Sequence, residues 1–235
     1  MTFITPFKKA LVKIRQGNFV LIHDADDRED ETDFILAAEF VNPSHIRTMR
    51  QDGGGLIFLM ISDEIAKRFQ LPFIVEVFTE AESRYHVLKT LFADDIPYDT
   101  KSSFSLWINH RDTFTGITDN DRSLTMNEFA LLSKKVLENK ELIGVDELGK
   151  FFRSPGHVPI CRASDKPLSN RYGHTELSIA LLTMAGVTPV ASGCEIMGDD
   201  GLALSKNAVK RYADKHHLIF LDGKDIIEEW ESWSP

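Results

Sequence analysis

The chain has 235 residues, with 27 lysines and arginines against 36 aspartates and glutamates, giving a net charge of −9. That acidity speaks against nucleic acid or an anionic membrane surface as the main partner, because neither attracts a net-negative protein. The 43% apolar and 10% aromatic residues exclude a disordered chain, and two cysteines, Cys161 and Cys194, exclude a disulfide framework or a four-thiolate zinc site. Both thiols read as small buried apolar side chains.

Thr5 before Pro6 starts a helix that carries Phe7, Leu11 and Ile14 on one face and stops at Gly17. Phe19 to Ile22 reads as a buried strand, and Phe34 to Val41 is a second apolar run. Asn42 and Pro43 open a helix that ends in the loop QDGGG. Leu56 to Ile61 is the next strand, and Ser62, with Asp63 and Glu64 in the first turn, caps a helix to about Gln70. Residues 71–102, with Pro72 and Pro97, lack periodicity and form a long excursion. Phe104 to Ile108 is strand-like, and Thr125 with Glu128 makes a capping box for a helix through about Asn139. Thr175 to Ala185 is an apolar helix, Val187 to Ala191 a strand and Ser205 to His216 an amphipathic helix. Asp222 starts a last short helix that ends at the tryptophan-containing tail.

The charge-free stretch Leu177 to Cys194 is interrupted by Gly186 and Pro189, so it reads as a buried helix followed by a buried strand rather than a membrane span. Lys8 and Lys9 break the N-terminal apolar run, so neither a leader nor an anchor is expected and the location is cytoplasmic. No repeat or linker divides residues 1–235. The expected architecture is a single α+β catalytic domain, a mixed sheet packed by helices, with strands too irregularly spaced for a regular βαβ series.

Five segments carry chemistry. In DADDREDETD, residues 24–33, eight of ten positions are ionisable, seven of them carboxylates. Such a run is either a solvated face or an oxygen-rich site for a hard divalent cation, Mg2+ or Mn2+; its position between two core strands favours the second. A calcium loop counted from Asp24 would need glycine where Glu29 stands, and a phosphatase-type Asp24 nucleophile rests on three residues alone. In FFRSPGHVPICRA, His157 follows a Ser-Pro-Gly turn and reads as a loop histidine until context says otherwise. RYGHTE places Arg171, Gly173, His174 and Thr175 just ahead of a helix, where free N–H groups, a hydroxyl and a guanidinium suit phosphate or carboxylate. His174 there is either a metal ligand or a further anion contact. Glu195 in SGCEIM closes a buried strand, as a salt-bridge partner or a general base. FTGITDNDR, with Thr115 and Gly116, is a polar loop placed to close over a ligand.

Taken together, DDREDETD, GGGLI, TGIT with the following NDR, PGHVP with the following RA, RYGHTE and CEIM with the following DG resemble 3,4-dihydroxy-2-butanone 4-phosphate synthase. These strings occur in the family's order across nearly the whole chain. The resemblance implies a divalent metal, Mg2+ or Mn2+ and as many as two per site, held by Glu29 and His174. Asp26, Asp27 and Glu31 stand ready to support it. It implies substrate contacts from Arg28, Glu29, Asp33, Thr115, Arg171, Gly173, Thr175 and Glu195, and catalytic roles for Asp33, His157 and Glu195. Two departures are visible: Phe58 and Leu59 stand where many members carry a cysteine, and Thr32 replaces a glycine common in bacterial members.

The activity implied is conversion of D-ribulose 5-phosphate to L-3,4-dihydroxy-2-butanone 4-phosphate and formate in riboflavin biosynthesis, by metal-assisted enediolate formation and skeletal rearrangement. The resemblance also implies a homodimer with active sites near the interface, and no fused GTP cyclohydrolase II domain is expected. A metal-dependent phosphosugar isomerase or aldolase would use the same ligands without releasing formate. A metal-binding module without catalysis would need neither the anion site nor Glu195.

Overall fold

The computed structural model describes residues 5–233; the first four residues of the stretch read as leaderless lie outside them. The chain runs α1 (Pro6–Arg15), β1 (Val20–His23), β2 (Thr32–Ala37), α2 (Pro43–Thr48), β3 (Phe58–Ile61), α3 (Asp63–Phe69), α4 (Ile74–Ala81), α5 (Val87–Thr90) and β4 (Phe104–His110). It continues through α6 (Asp119–Glu138), α7 (Gly144–Phe151), β5 (Phe152–Arg162), α8 (His174–Ala185), β6 (Val190–Glu195), α9 (Lys206–His216), β7 (Ile219–Asp222) and α10 (Gly223–Ser232). The seven strands form one mixed sheet in the order β4-β5-β3-β6-β2-β1-β7. Apolar side chains alternate between two cores. Val20, Ile22, Ile35, Phe58 and Met60 face α1, α8 and α10, whereas Leu21, Phe34, Leu36 and Leu59 face α2, α3, α6 and α9. Helices on both faces leave the inner strands without a wet side, and this is why they read as continuous apolar runs rather than alternating ones.

Local chemistry accounts for the helix starts. The Thr5 hydroxyl accepts from the Lys8 N–H, the Asn42 side chain from Ser44 and His45, and the Ser62 hydroxyl from Ile65. The capping box expected at Thr125 is not the start of α6: Thr118 caps that helix two turns earlier, and the Thr125 hydroxyl instead accepts from the His110 N–H. The excursion at 71–102 contains α4 and α5. Segment 151–163, in which Ser154, Pro155 and Gly156 read as a turn, is mostly β5, paired with β4 and β3; α7 and β7 carry no strong sequence signal. β6 begins three residues later than expected and reaches Glu195. Beyond β2 the second apolar run bends into a single 3-10 turn at Ala38–Phe40. Among the described residues no helix is long and apolar enough to cross a membrane.

Candidate active site

The acidic segment is the loop of the β1–β2 hairpin, closed where His23 pairs with Thr32. Asp24 organises it: one oxygen accepts from the Glu29 N–H at 3.1 Å and from Arg28 Nη1 at 3.0 Å, and the other from the Glu31 N–H at 3.1 Å. Burial opposes ionisation of Asp24, but nearby His174 and these donors outweigh it and hold the carboxyl below its ordinary value. With both oxygens engaged, Asp24 is a loop anchor and no free nucleophile. The fold turns Arg28, Glu29 and Glu31 into a polar pocket. It turns Asp26 away, to Lys206 Nζ at 2.8 Å and His23 Nε2 at 3.0 Å, and leaves Asp27 exposed. Those two aspartates therefore do not join Glu29.

The pocket, about 470 Å³, opens on the α8 side of the sheet and is lined by Asp33, Glu195, His174, Thr175, Arg28 and Arg171 among others. Its floor is set by register. Asp33 on β2 lies directly opposite Glu195 on β6 in an antiparallel pair, an arrangement of like charges that costs stability. Asp33 is 1% exposed and neither of its oxygens has a hydrogen-bond partner. Burial pushes its carboxyl well above the ordinary value, and neighbouring Glu195 and Glu29 add to this. Burial likewise raises Glu195, although Oε2 accepts from the Leu56 N–H at 2.7 Å. Two carboxyls with raised proton affinity opposite each other in a small pocket suit proton transfer.

The glycine loop serves Glu195. A Cβ on Gly55 would stand 2.4 Å from Glu195 Oε2 and 2.7 Å from its Cβ, and Gly54 has φ +87°. Gly55→Ala should therefore displace the Glu195 carboxylate and lower kcat more than 100-fold with only a few degrees' loss in melting temperature. Wild-type turnover by this variant would show that the Leu56–Glu195 contact is dispensable.

His174, the first residue of α8, reaches Glu29 Oε2 through Nδ1 at 3.2 Å and lies 3.7 Å from Asp33 Oδ1 through Nε2. Burial opposes a charged imidazole, but the carboxylates of Asp33, Glu29 and Asp24 prevail and push His174 up to about 10. Ligand atoms of Asp24, Glu29 and His174 all lie within 4.8 Å of one another. The carboxylate of Glu29 and the imidazole of His174 are donors suited to a hard divalent cation, and the unpartnered oxygens of Asp33 lie at the other ring nitrogen. Glu29 itself is held below its ordinary value: burial opposes this, but His174 and Arg28 outweigh it.

Around this group stand two arginines. Arg28 Nη1 contacts Asp24 and Glu29 at 3.0 Å each, and Arg171 Nη1 contacts fully buried Glu176 at 3.1 Å. Gly173 lets Arg28 pass, since a Cβ there would meet its Nη2 at 2.7 Å. The free N–H groups of the first turn of α8 add positive potential at Thr175. Asp99 and Glu176, which hold Arg171, were not singled out from sequence; Asp99 sits in the patternless excursion. Cys161 lines the pocket, but burial pushes its thiol up to about 12, so it presents no thiolate.

His157 and Thr115 lie elsewhere. Asn109 Oδ1 accepts from the His157 N–H at 2.8 Å, and Asn109 Nδ2 lies 3.1 Å from His157 Nδ1. Gly116 packs on the same asparagine, and Asp121 accepts from the Thr115 hydroxyl and the Gly116 N–H. His157 is exposed and is four residues, about 13 Å along β5, from Cys161 in the pocket. Within one chain, then, Asp33, Glu195, Glu29, His174, Arg28, Arg171, Gly173 and Thr175 converge, while His157 and Thr115 form a second cluster with Asn109, a residue the sequence reading missed.

Fold and pocket together define a class: a helix-covered mixed sheet whose pocket combines a donor set for a divalent cation with an arginine pair for an anion. The model of the family described as 3,4-dihydroxy-2-butanone 4-phosphate synthase matches residues 8–229. The 3,4-dihydroxy-2-butanone 4-phosphate synthase of Methanothermobacter thermautotrophicus is 47% identical over 231 residues, covering 98% of each chain. The crystal structure of the Candida albicans enzyme of that name has a TM-score of 0.73 at 25% identity, covering 97% of this chain and 98% of the other. A further synthase structure, described as a complex with two magnesium ions, has the same TM-score at 23% identity, covering 97% and 98%. The chain belongs to the 3,4-dihydroxy-2-butanone 4-phosphate synthase family, enzymes of riboflavin biosynthesis.

Proposed function

We propose that the chain is a lyase that converts D-ribulose 5-phosphate to L-3,4-dihydroxy-2-butanone 4-phosphate and formate with a divalent cation, Mg2+ or Mn2+. The observation that carries this reading is buried Asp33 paired with half-buried Glu195 beside Glu29 and His174, within family membership. Glu29 and His174 would hold the cation, with Glu31 and Asp33 close enough to support it or a second one. When bound, it supplies Lewis-acid polarisation of the ketose oxygens.

The chain's own groups do the rest. Arg171, Arg28, Thr175 and the start of α8 hold the phosphate and fix which end of the sugar enters. Asp33 accepts the proton from C3 on an oxygen that has no competing donor. Glu195, steadied by the Leu56 N–H, returns a proton as the C1 hydroxyl leaves as water. C5 then migrates from C4 to C3, and water adds to the freed C4, which departs as formate. One water leaves and one returns, so the reaction balances without an oxidant.

The active unit is a homodimer in this reading. The support is an apolar groove of about 570 Å³ lined by Phe78, Leu91, Phe92, Leu106 and Trp107, which shares Ser102 and Phe104 with the polar pocket. A second copy over this groove would bury its apolar lining, which includes Pro155 close to His157 in sequence. Monomers in sedimentation velocity at micromolar concentration would remove this part. The location is cytoplasmic in this reading, as expected for a phosphosugar enzyme.

The reaction is tested by formate release, coupled to formate dehydrogenase, from ribulose 5-phosphate and Mg2+ with an EDTA control. Metal-dependent formate is the expected result. Turnover of ribulose 5-phosphate without formate would replace the lyase by an isomerase or aldolase.

A further inference from the structure

The Arg28–Arg171 pair is filled from within. Asp99 Oδ2 accepts from Arg28 Nη2 and from Arg171 Nη2, each at 2.6 Å, and its Oδ1 accepts from Arg171 Nε at 3.1 Å. One carboxylate therefore spans both guanidinium groups, as one face of a tetrahedral phosphate would. Of the other carboxylates on these arginines, Asp24 anchors the hairpin loop, Glu29 lies 3.0 Å from Arg28 Nη1 and also reaches His174, and Glu176 on α8 is fully buried and also accepts from the Ser164 N–H. Asp99 comes from a longer stretch without helix or strand, residues 91–103, and Ile96, Pro97, Tyr98 and Asp99 together line the pocket. Tyr98 lies over the same Arg28 guanidinium at 5.1 Å.

The pocket already carries Glu29, Glu31, Asp33 and Glu195 against Arg28, Arg171, His174 and Lys101. A phosphate dianion placed on the arginines with Asp99 still there would face that carboxylate at hydrogen-bond range, a like-charge repulsion on guanidinium groups that Asp99 already engages. We propose that Asp99 is a specificity-determining residue: its carboxylate occupies the arginine pair in the free protein, and only a ligand carrying a phosphate dianion displaces it. This rests on the reading of Arg28 and Arg171 as the phosphate contacts and adds how the site admits its substrate. A monoanionic carboxylate offers the arginines nothing that Asp99 does not already supply at high effective concentration, whereas a dianion with three oxygens does. Unphosphorylated sugars and carboxylates are thereby kept out of an otherwise adaptable polar pocket.

If Asp99 fills the pair in about nine of ten free molecules, its removal strengthens apparent phosphate affinity about tenfold. The test is titration calorimetry of the full chain with inorganic phosphate in the presence of Mg2+. Asp99→Asn and Asp99→Ser are compared with wild type, with Asp99→Glu as the charge-keeping variant and exposed Asp94→Asn as the control. About tenfold tighter phosphate binding is expected in both neutral variants, with Asp99→Glu and Asp94→Asn close to wild type. The KM for ribulose 5-phosphate should fall by a similar factor. Equal or weaker phosphate binding in both neutral variants, each folded by circular dichroism, would overturn the proposal and show that Asp99 stays to hold the ligand.

Formate release separates the two readings. A chain that binds phosphate more tightly without Asp99 but releases no formate keeps the role of Asp99 and loses the lyase. A chain that releases formate while the neutral variants bind phosphate no better does the reverse.

Discussion

Glu29→Gln is expected to abolish metal-dependent turnover, lowering formate release more than 1,000-fold at saturating ribulose 5-phosphate. The carboxylate sits 3.2 Å from His174 Nδ1 and 3.0 Å from Arg28 Nη1, so the isosteric amide removes a formal charge from the cation's donor set without leaving a hole. Loss of a charged ligand weakens binding of a hard cation steeply, and polarisation of the ketose goes with it. Calorimetry with Mg2+ alone reads the first effect and the formate assay the second. A variant that binds Mg2+ like wild type would take Glu29 out of the donor set.

His174 gives the same experiment a pH signature. Its folded value of about 10 lies above the ordinary 6.5, and a metal ligand must be neutral. Cation binding near pH 7.5 should therefore release close to one proton, and apparent affinity should rise with pH. In EDTA the linkage acts on the fold. A raised folded pKa contributes stability that is complete below about 6.5 and is lost as pH rises through about 10. The metal-free melting temperature should fall across that window, and His174→Gln should flatten the fall.

Asp33→Asn is the second large expectation, and it separates activity from stability. Loss of the group proposed to take the C3 proton should lower kcat about 1,000-fold or more. The fold should change little, because the repulsion from Glu195 relieved across the β2–β6 pair is set against the lost attraction to His174, 3.7 Å away. The two effects oppose each other, so the melting temperature should stay within about 2–4 °C of wild type, the shift that one kcal/mol makes in a chain of this size. A variant that melts much lower than wild type would mean that Asp33 serves the fold.

Much of this protein is determined by short-range features of the chain. The caps at Thr5, Asn42 and Ser62, the breakers at Gly186 and Pro189 and the apolar runs of the inner strands are local statements, because a helix start needs only a side-chain oxygen within three residues and a buried strand only a run of apolar residues. Most of the site is of the same kind. Arg28, Glu29 and Asp33 belong to one hairpin and Arg171, Gly173, His174 and Thr175 to one helix start, and the residue types at those spacings are of the kinds that suit a cation and an anion.

Other elements escape this reading because their cause lies at a distance. β5 contains Ser154, Pro155 and Gly156, which spell a turn; they bulge at a register shift, and the pairing of Phe152, Arg153 and Val158 with β4 on either side carries the strand through them. Thr125 has the composition of a cap but is spent on His110, while Thr118 does the capping. Asp99 has no local pattern at all; it matters because two arginines, 71 and 72 residues away, meet on its carboxylate. Only the tertiary structure sets Asp33 against Glu195, sends Asp26 to Lys206 and keeps His157 with Asn109 outside the pocket. Strand register and loop closure decide these, and both are set by how distant apolar faces bury one another, a quantity no short window of sequence contains.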